Sequence, residues 1–245
     1  VHAEGQAAFC FIPKIFRKKV IVTVHGLDWQ REKWKAGFGS KYIHFGEKMA
    51  VKHADEIIVL SREVQKYFKD TYGRKTRYIP NGVTRPEKIE SELIEKKFCL
   101  KKDSNILYLG RIVQEMGEHY LIGAFKDTDT DKKLVIAGGS SDTDEYMDKL
   151  KQMAGQDDRI IFIGFVQGQL LQELYSNAYV YVLPSDLEGM PLSLLEAMSY
   201  GNCCLTSDIK ECTEVVGNKA VAFKKSDVKD LQDKLQKLCD DSKLV

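Results

Sequence analysis

Apolar residues recur along the chain in short β-branched runs separated by stretches with helical spacing. Lys19 to His25 and Glu56 to Leu60 read as strands, and Phe38 to His53 between them reads as a helix. Ser61 is placed to cap a further helix that fades near Tyr72 and Gly73. Thr76 to Ile79 predicts one more short strand before the Pro80-Asn81-Gly82 turn. From about Thr84 to Asp103 the chain is charged and lacks a sustained period, which predicts a connection. Beyond it, strands are expected at Asn105 to Leu109, Leu134 to Ala137, Ile160 to Ile163, Tyr179 to Leu183, Cys203 to Thr206 and Ala220 to Phe223. Helical stretches lie between them, near Glu118 to Lys126, Asp144 to Ala154, Gln169 to Tyr175, Pro191 to Tyr200 and Asp227 to Leu238. Six strands buried on both faces and alternating with helices describe an α/β fold with an open parallel sheet. Ligands of such sheets sit at the carboxyl ends of the strands, so the chemistry is sought there.

Composition narrows the choices. The 245 residues have an ordinary globular make-up, enough for two modest domains, and no apolar run approaches the roughly 18 residues that cross a bilayer. The chain starts at Val1 without a secretory signal and reads as an internal fragment. Six cysteines form no CxxC pair and share no metal-ligand rhythm with the five histidines; a zinc site is not expected, and a reduced cytosol is the simplest setting. Cys203 and Cys204 read as strand residues rather than a redox pair. Charge is polarised: residues 1–86 carry 17 basic and 8 acidic side chains, which leaves 20 and 28 for residues 87–245. That asymmetry points to two units with different partners.

Four constellations can carry chemistry. Gly110-Arg111 follows a strand and leads to Gln114, Glu115, Met116 and Gly117; a glycine admits a phosphate close to the backbone, and a guanidinium fork matches its oxygens. A surface ion pair is the alternative for Arg111. Ala137-Gly138-Gly139-Ser140 is either a nucleotide-facing turn or an ordinary strand-to-helix turn, and it lacks the GxGxxG spacing of a dinucleotide site. In Ser185 to Glu196 two glutamates flank Gly189, Met190 and Pro191. Pro191 suits the first helical turn, which puts Glu188 in the loop at the helix N-terminus and Glu196 inside the helix, on the side of Ser193 and Tyr200. A solvated acid on an amphipathic helix is the plain alternative for Glu196. His25-Gly26-Leu27-Asp28-Trp29 ends a strand, where a histidine could bond a sugar or serve structure alone. The acidic runs Asp127-Thr128-Asp129-Thr130-Asp131 and Asp142-Thr143-Asp144 read as surface turns, because a calcium loop from Asp127 would need glycine at Lys132 and glutamate at Gly138.

Together these pieces resemble glycosyltransferase family 4, the retaining nucleotide-sugar transferases of GT-B fold. The matching segments stand in order: VTVHGLDW at 22–29, ADEIIVLS at 54–61, YIPNGV at 78–83, LYLGRIVQEMG at 107–117, LVIAGG at 134–139, IIFIGFV at 160–166 and VLPSDLEGMPLSLLEAMSYG at 182–201. The HGLDWQREKW stretch is similar to enzymes that build bacterial surface polysaccharides. The resemblance implies two Rossmann-like domains with parallel sheets: an incomplete acceptor-side domain at 1–84, a linker at 85–103 and a nucleotide-sugar-binding domain at 104–245.

The resemblance also implies roles. Gly110 and Arg111 would meet the donor diphosphate, Glu196 the ribose hydroxyls, and Glu188 the donor-sugar hydroxyls, with Gly189, Met190, Pro191 and Leu192 beside it. The Gly164-Phe165-Val166 turn would lie against the base, His25 would approach the donor sugar, and Asn81 would line the linker side. His25, Glu188 and Arg111 are the catalytic candidates. The family normally has a lysine where this chain has Met116. The expected function is therefore retaining transfer of a sugar, from a UDP-linked donor more than a GDP-linked one, to a glycan or lipid-phosphate-linked acceptor in surface-polysaccharide synthesis. No metal, no other cofactor and no nucleic acid are expected. A cytoplasmic place, peripheral at an anionic inner membrane face, suits the basic first 86 residues. A catalytically silent nucleotide-sugar-binding protein is the alternative. An unrelated Rossmann oxidoreductase would need GxGxxG after the strand at 105–109, where the chain has Gly-Arg.

Overall fold

The computed structural model describes residues 1–2, 5–31, 38–139 and 144–245, which group into two units. Val1–Gly82 and Leu187–Met190 form the first; Val83–Asp186 and Pro191–Val245 form the second. Ser140, Asp142 and Thr143, together with Glu32, Lys33 and Trp34 of the HGLDWQREKW stretch, lie outside the described residues.

The first unit is a three-stranded parallel sheet in the order β1 (Ile21–Val24), β2 (Glu56–Val59), β3 (Arg77–Tyr78). Two long helices lie between these strands in the chain, α2 (Phe38–His53) and α3 (Arg62–Tyr72), as parallel pairing requires a crossover connection. Ser61 caps α3 as expected: its hydroxyl accepts from the Val64 N–H, and Gly73 closes the helix in the left-handed region at φ 64°. A short helix not foreseen from the pattern, α1 (Phe11–Ile15), precedes β1; its five residues are too few to set up a period. Val22, Val24, Ile57, Val59 and Phe68 are buried in this unit's own core.

The second unit holds six parallel strands in the order β6-β5-β4-β7-β8-β9. They are β4 (Asn105–Leu109), β5 (Lys133–Ala137), β6 (Ile160–Gly164), β7 (Val180–Leu183), β8 (Cys203–Ser207) and β9 (Val221–Phe223). The central strands β4 and β7 are nearly continuous apolar runs covered on both faces, whereas the edge strands β6 and β9 keep partly exposed positions. Cys203 and Cys204 are strand residues of β8, and both are free thiols. Between the strands run α5 (Glu118–Lys126), α6 (Asp144–Ala154), α7 (Gln169–Asn177), α8 (Leu192–Ser199) and α9 (Lys210–Val216), with α10 (Val228–Asp240) after β9.

Two expectations need correcting here. The stretch expected to be an irregular connection contains α4 (Leu93–Phe98), and that helix groups with the second unit. Its N-terminal N–H groups are satisfied from elsewhere in the fold: Glu173 on α7 accepts from Glu92 and Ile94, each at 3.0 Å. Pro191 is the residue before α8, extended at ψ 105°, and the helix proper starts at Leu192.

Candidate functional site

The winding of the second sheet selects one place for a ligand. From β4 the chain moves outward to β5 and β6, then returns past β4 to β7 and moves outward again to β8 and β9. Loops leaving β4 and β7 therefore diverge to opposite faces, and a crevice opens at the carboxyl ends of these two strands. Gly110-Arg111 follows β4, and the segment from Pro184 to Pro191 follows β7. Two of the four constellations thus belong to the switch point.

These loops are fastened to each other. The Asp186 N–H donates to the Glu115 carbonyl at 2.8 Å, and Ser185 Oγ lies 3.5 Å from Met116 Sδ. Gly117 sits at φ 76°, where an added Cβ would stand 2.2 Å from the Pro184 carbonyl oxygen; only glycine fits so close an approach. Met116 is buried at this seam, not displayed to solvent as a phosphate-binding lysine would be.

The neighbouring loops are joined in the same way. Gly110 N–H donates to the Ala137 carbonyl at 3.1 Å, Ile112 N–H to Gly139 at 3.1 Å, and Gly138 N–H to Gly164 at 2.8 Å. The turns after β4, β5 and β6 therefore form one rim, with Phe165 exposed and Val166 buried behind it. Arg111 is exposed on this rim, and among the described residues it enters no ion pair, which leaves its guanidinium available to an anion.

Helix α8 reaches the same rim through two tyrosines. Tyr181 on β7 puts its hydroxyl 2.8 Å from Ser193 Oγ and 3.3 Å from the Leu109 carbonyl, one residue before Gly110. Tyr175 on α7 donates to Glu196 Oε2 at 3.0 Å and stacks its ring on Tyr200 at 5.2 Å. Glu196 is thus a partly exposed, oriented carboxylate on the Ser193 and Tyr200 side of α8, the side that helical spacing indicated. Burial raises the Tyr175 phenol well above its ordinary range, and the neighbouring Tyr181 and Glu196 add to that. Tyr175 stays a neutral donor. Leu192, at the first turn of α8, is half exposed.

The remaining candidates group with the first unit. His25 is exposed just after β1, with its ring 5.8 Å from that of His2. Gly189 presses against the same turn: a Cβ there would lie 1.6 Å from the His25 carbonyl oxygen. Asn81 N–H points at Met190 Sδ, 3.1 Å away. Glu188 is half-buried beside Gly189. Trp29 stacks on His44 at 5.1 Å, and Asp28 pairs with Arg31 at 3.2 Å, so this part of the HGLDW stretch is engaged in holding its own unit.

Sequence reasoning did not find Tyr108, Glu118, Tyr146, Tyr175 and Tyr181, the polar side chains, buried except for the half-buried Tyr146, that brace these loops. Four are aromatic residues whose spacing reads as core, and Glu118 reads as an ordinary acid at a helix start. No cluster of His, Cys, Asp or Glu suited to a metal occurs among the described residues.

Comparison with known proteins agrees with this architecture. Residues 90–245 match the family model "Glycosyl transferases group 1", and residues 1–85 match "Glycosyltransferase Family 4". An uncharacterized glycosyltransferase of Methanocaldococcus jannaschii is 28% identical over 215 residues, which cover 82% of this chain and 55% of that protein. The capsular polysaccharide biosynthesis glycosyltransferase CapM of Staphylococcus aureus is 27% identical over 91% of this chain and 62% of its own length. The O-antigen chain mannosyltransferase RfbU of Salmonella typhimurium is 29% identical over 80% and 54%. The chain therefore spans little more than half the length of these relatives. Among solved structures, HepE of Anabaena, in complex with UDP and glucose, superposes with a TM-score of 0.85 at 16% identity, over 99% of this chain and 68% of that one. Sucrose-phosphate synthase of Thermosynechococcus elongatus gives 0.79 at 23% identity, over 96% and 63%. These likenesses establish the fold class as GT-B, with Rossmann-like units and parallel sheets. With a family model matched over most of its length and its glycine-arginine turn and α8 meeting at the switch point, the chain belongs to the glycosyl transferases group 1 family.

Proposed function

We propose that this chain is the donor-binding portion of a retaining glycosyltransferase that moves a hexose from a nucleotide sugar, UDP-linked before GDP-linked, to a glycan or lipid-phosphate-linked acceptor in surface-polysaccharide synthesis. The observation that carries the reading is the switch point, where an unpaired exposed guanidinium, Arg111 on the turn after β4, and a tyrosine-oriented carboxylate, Glu196 on α8, belong to elements that Tyr181 fastens to each other. In this reading Gly110 and Arg111 bind the diphosphate, Glu196 the ribose, and the Gly164-Phe165-Val166 turn the base. Glu188 and His25 serve the sugar, with Gly189, Met190, Pro191 and Leu192 shaping its pocket and Asn81 at its margin. The bond from the anomeric carbon to the phosphate oxygen breaks, the acceptor oxygen bonds to that carbon on the same face, and its proton passes to the departing phosphate. Arg111 and the N–H groups opening α8 offset the charge that grows on the diphosphate, and the reading assigns no metal ion or other cofactor.

Calorimetric titration with UDP and GDP tests it. A charge-assisted contact contributes about 1.5–3 kcal/mol, so Arg111→Ala and Glu196→Ala should each weaken UDP binding about tenfold to a hundredfold. Unchanged affinity in both would remove the site.

Met116 favours a second reading, a nucleotide-sugar-binding protein without turnover, because a buried thioether adds no charge where the family has lysine. Donor hydrolysis by the parent and by Met116→Lys separates the two: turnover that rises with lysine supports the enzyme, and UDP binding without turnover in either supports the silent binder. We further propose a cytoplasmic, membrane-peripheral place. The α1 region leaves Ile15 and Phe16 each 70% exposed beside Arg17, Lys18 and Lys19, although Lys14 is engaged with Asp55 at 2.7 Å. Equal binding to neutral and anionic vesicles would remove that part.

A further inference from the structure

Glu118 opens α5, seven residues after Arg111, and is completely buried. Its Oε1 lies 2.8 Å from Tyr108 Oη, and its Oε2 lies 3.1 Å from Tyr146 Oη. Each phenol has a second polar neighbour. Tyr108 Oη is 2.8 Å from the Arg111 backbone carbonyl, and Tyr146 Oη is 2.8 Å from His119 Nδ1.

Counting protons decides how these four contacts can be satisfied. A phenol has one proton to give, a carbonyl only accepts, and an ionised carboxylate only accepts. With Glu118 ionised, Tyr108 must choose between the carboxylate and the Arg111 carbonyl, and one of the two short contacts has no proton. A neutral Glu118 closes the chain: its Oε1–H donates to Tyr108, and Tyr108 donates to the Arg111 carbonyl. On the other side Tyr146 donates to Oε2, and the His119 Nδ1–H donates to Tyr146. Four contacts then use four protons in one direction.

We propose that Glu118 is a positioning residue of the donor site: as a neutral acid it lets Tyr108 hold the Arg111 carbonyl, and so fixes the turn that presents the guanidinium. This rests on the reading of Arg111 as a diphosphate ligand.

The surroundings agree. Burial pushes the Glu118 carboxyl up to about 8, against the N–H groups of Glu118 and Val113 and the two phenols. Burial also lowers the His119 pKa, helped by Lys149 on α6 and opposed by Asp186 after β7, so the imidazole is neutral as the chain requires. Tyr120 on α5 faces the same cluster, its ring centroid 3.9 Å from that of His119 and its hydroxyl donating to Asp186 at 2.9 Å.

The experiment is UDP titration of the 245-residue chain between about pH 6.5 and 9, beside Glu118→Gln and Glu118→Leu. A glutamine side chain has both the donor and the acceptor of a neutral acid. Parent affinity should fall several-fold above about pH 8 relative to E118Q, as Glu118 ionises and the Arg111 carbonyl loses its donor. E118Q should match the parent at pH 6.5 and keep that affinity, and E118L, whose side chain takes no proton from Tyr108, should show no fall above pH 8. Affinity that falls alike in the parent and in E118Q overturns this proposal alone, and so does the same fall above pH 8 in E118L. A parent chain that binds no UDP at any pH removes the donor reading and this proposal with it. Carbon-13 spectra of the ligand-free parent give a second measure: a neutral carboxyl at Glu118 at pH 7 is expected, and a carboxylate there overturns the proposal even if the variants fail to fold.

Discussion

Position 116 is a case in which one side chain changes what a motif can do. Met116 fills the seam beside Ser185, so Met116→Lys must either bury an ammonium or push its head out between the loops. Burying a polar group without a partner costs on the order of 1–3 kcal/mol, and urea denaturation should show M116K less stable than the parent whether or not it gains activity. At Glu196 the expected effect lies in binding rather than folding, since the group is partly exposed. Tyr175→Phe should weaken UDP affinity about fivefold, roughly the worth of one orienting hydrogen bond, and less than Glu196→Ala does. Arg111 and Glu196 could be singled out as candidates from the chain alone because glycine-arginine after a strand and a carboxylate inside a proline-led helix are local patterns, while their donor roles came from the family resemblance. Glu118 could not. Nothing near it in the chain announces that Tyr108 and Tyr146, 10 and 28 residues away, will enclose it.

At the scale of elements, the contrast between α3 and α4 is instructive. Helix α3 has its cap, its apolar stripe and its terminating glycine within its own residues, and its bounds follow from them. Ser61→Ala should cost about 1 kcal/mol in chemical denaturation, the ordinary price of an N-cap. Helix α4 has six residues and no capping side chain of its own, and Glu173 of α7 supplies what is missing. A cap that arrives from 79 residues away leaves no local signal, which is why the pattern predicted an irregular connection there. Burial alone would raise the Glu173 carboxyl, but the N–H groups of Ile94, Leu93 and Glu92 and the Gln169 amide outweigh it and hold the pKa below its usual value. The folded pKa lies below the unfolded one, so this stabilisation is present above about pH 4.5 and is lost as pH falls through the folded value. Glu173→Gln should flatten that acid limb in a plot of melting temperature against pH.

For the whole molecule, Glu118 acts in the opposite direction. Its pKa in the fold, about 8, exceeds the unfolded value, so its contribution is complete below about pH 4.5 and is lost as pH rises towards 8. The melting temperature of Glu118→Gln should therefore gain on the parent steadily across that interval. The two units have separate cores, the larger drawn from residues 94–238 and the smaller from residues 7–68. Less buried apolar area offsets chain entropy in the smaller one, so scanning calorimetry should resolve two transitions, the first unit melting at the lower temperature. What the amino-acid order determined by itself was local: alternating strand and helix, the caps of α3, and the glycine, arginine and glutamate motifs that name the family. Strand order, the switch point between β4 and β7, the borrowed cap of α4 and the neutral acid behind Arg111 were decided only by tertiary structure. Hydrogen bonds and burial between residues distant in the chain carry no periodicity, and they acquire their energy only once the sheet has brought those residues within 3 Å of one another.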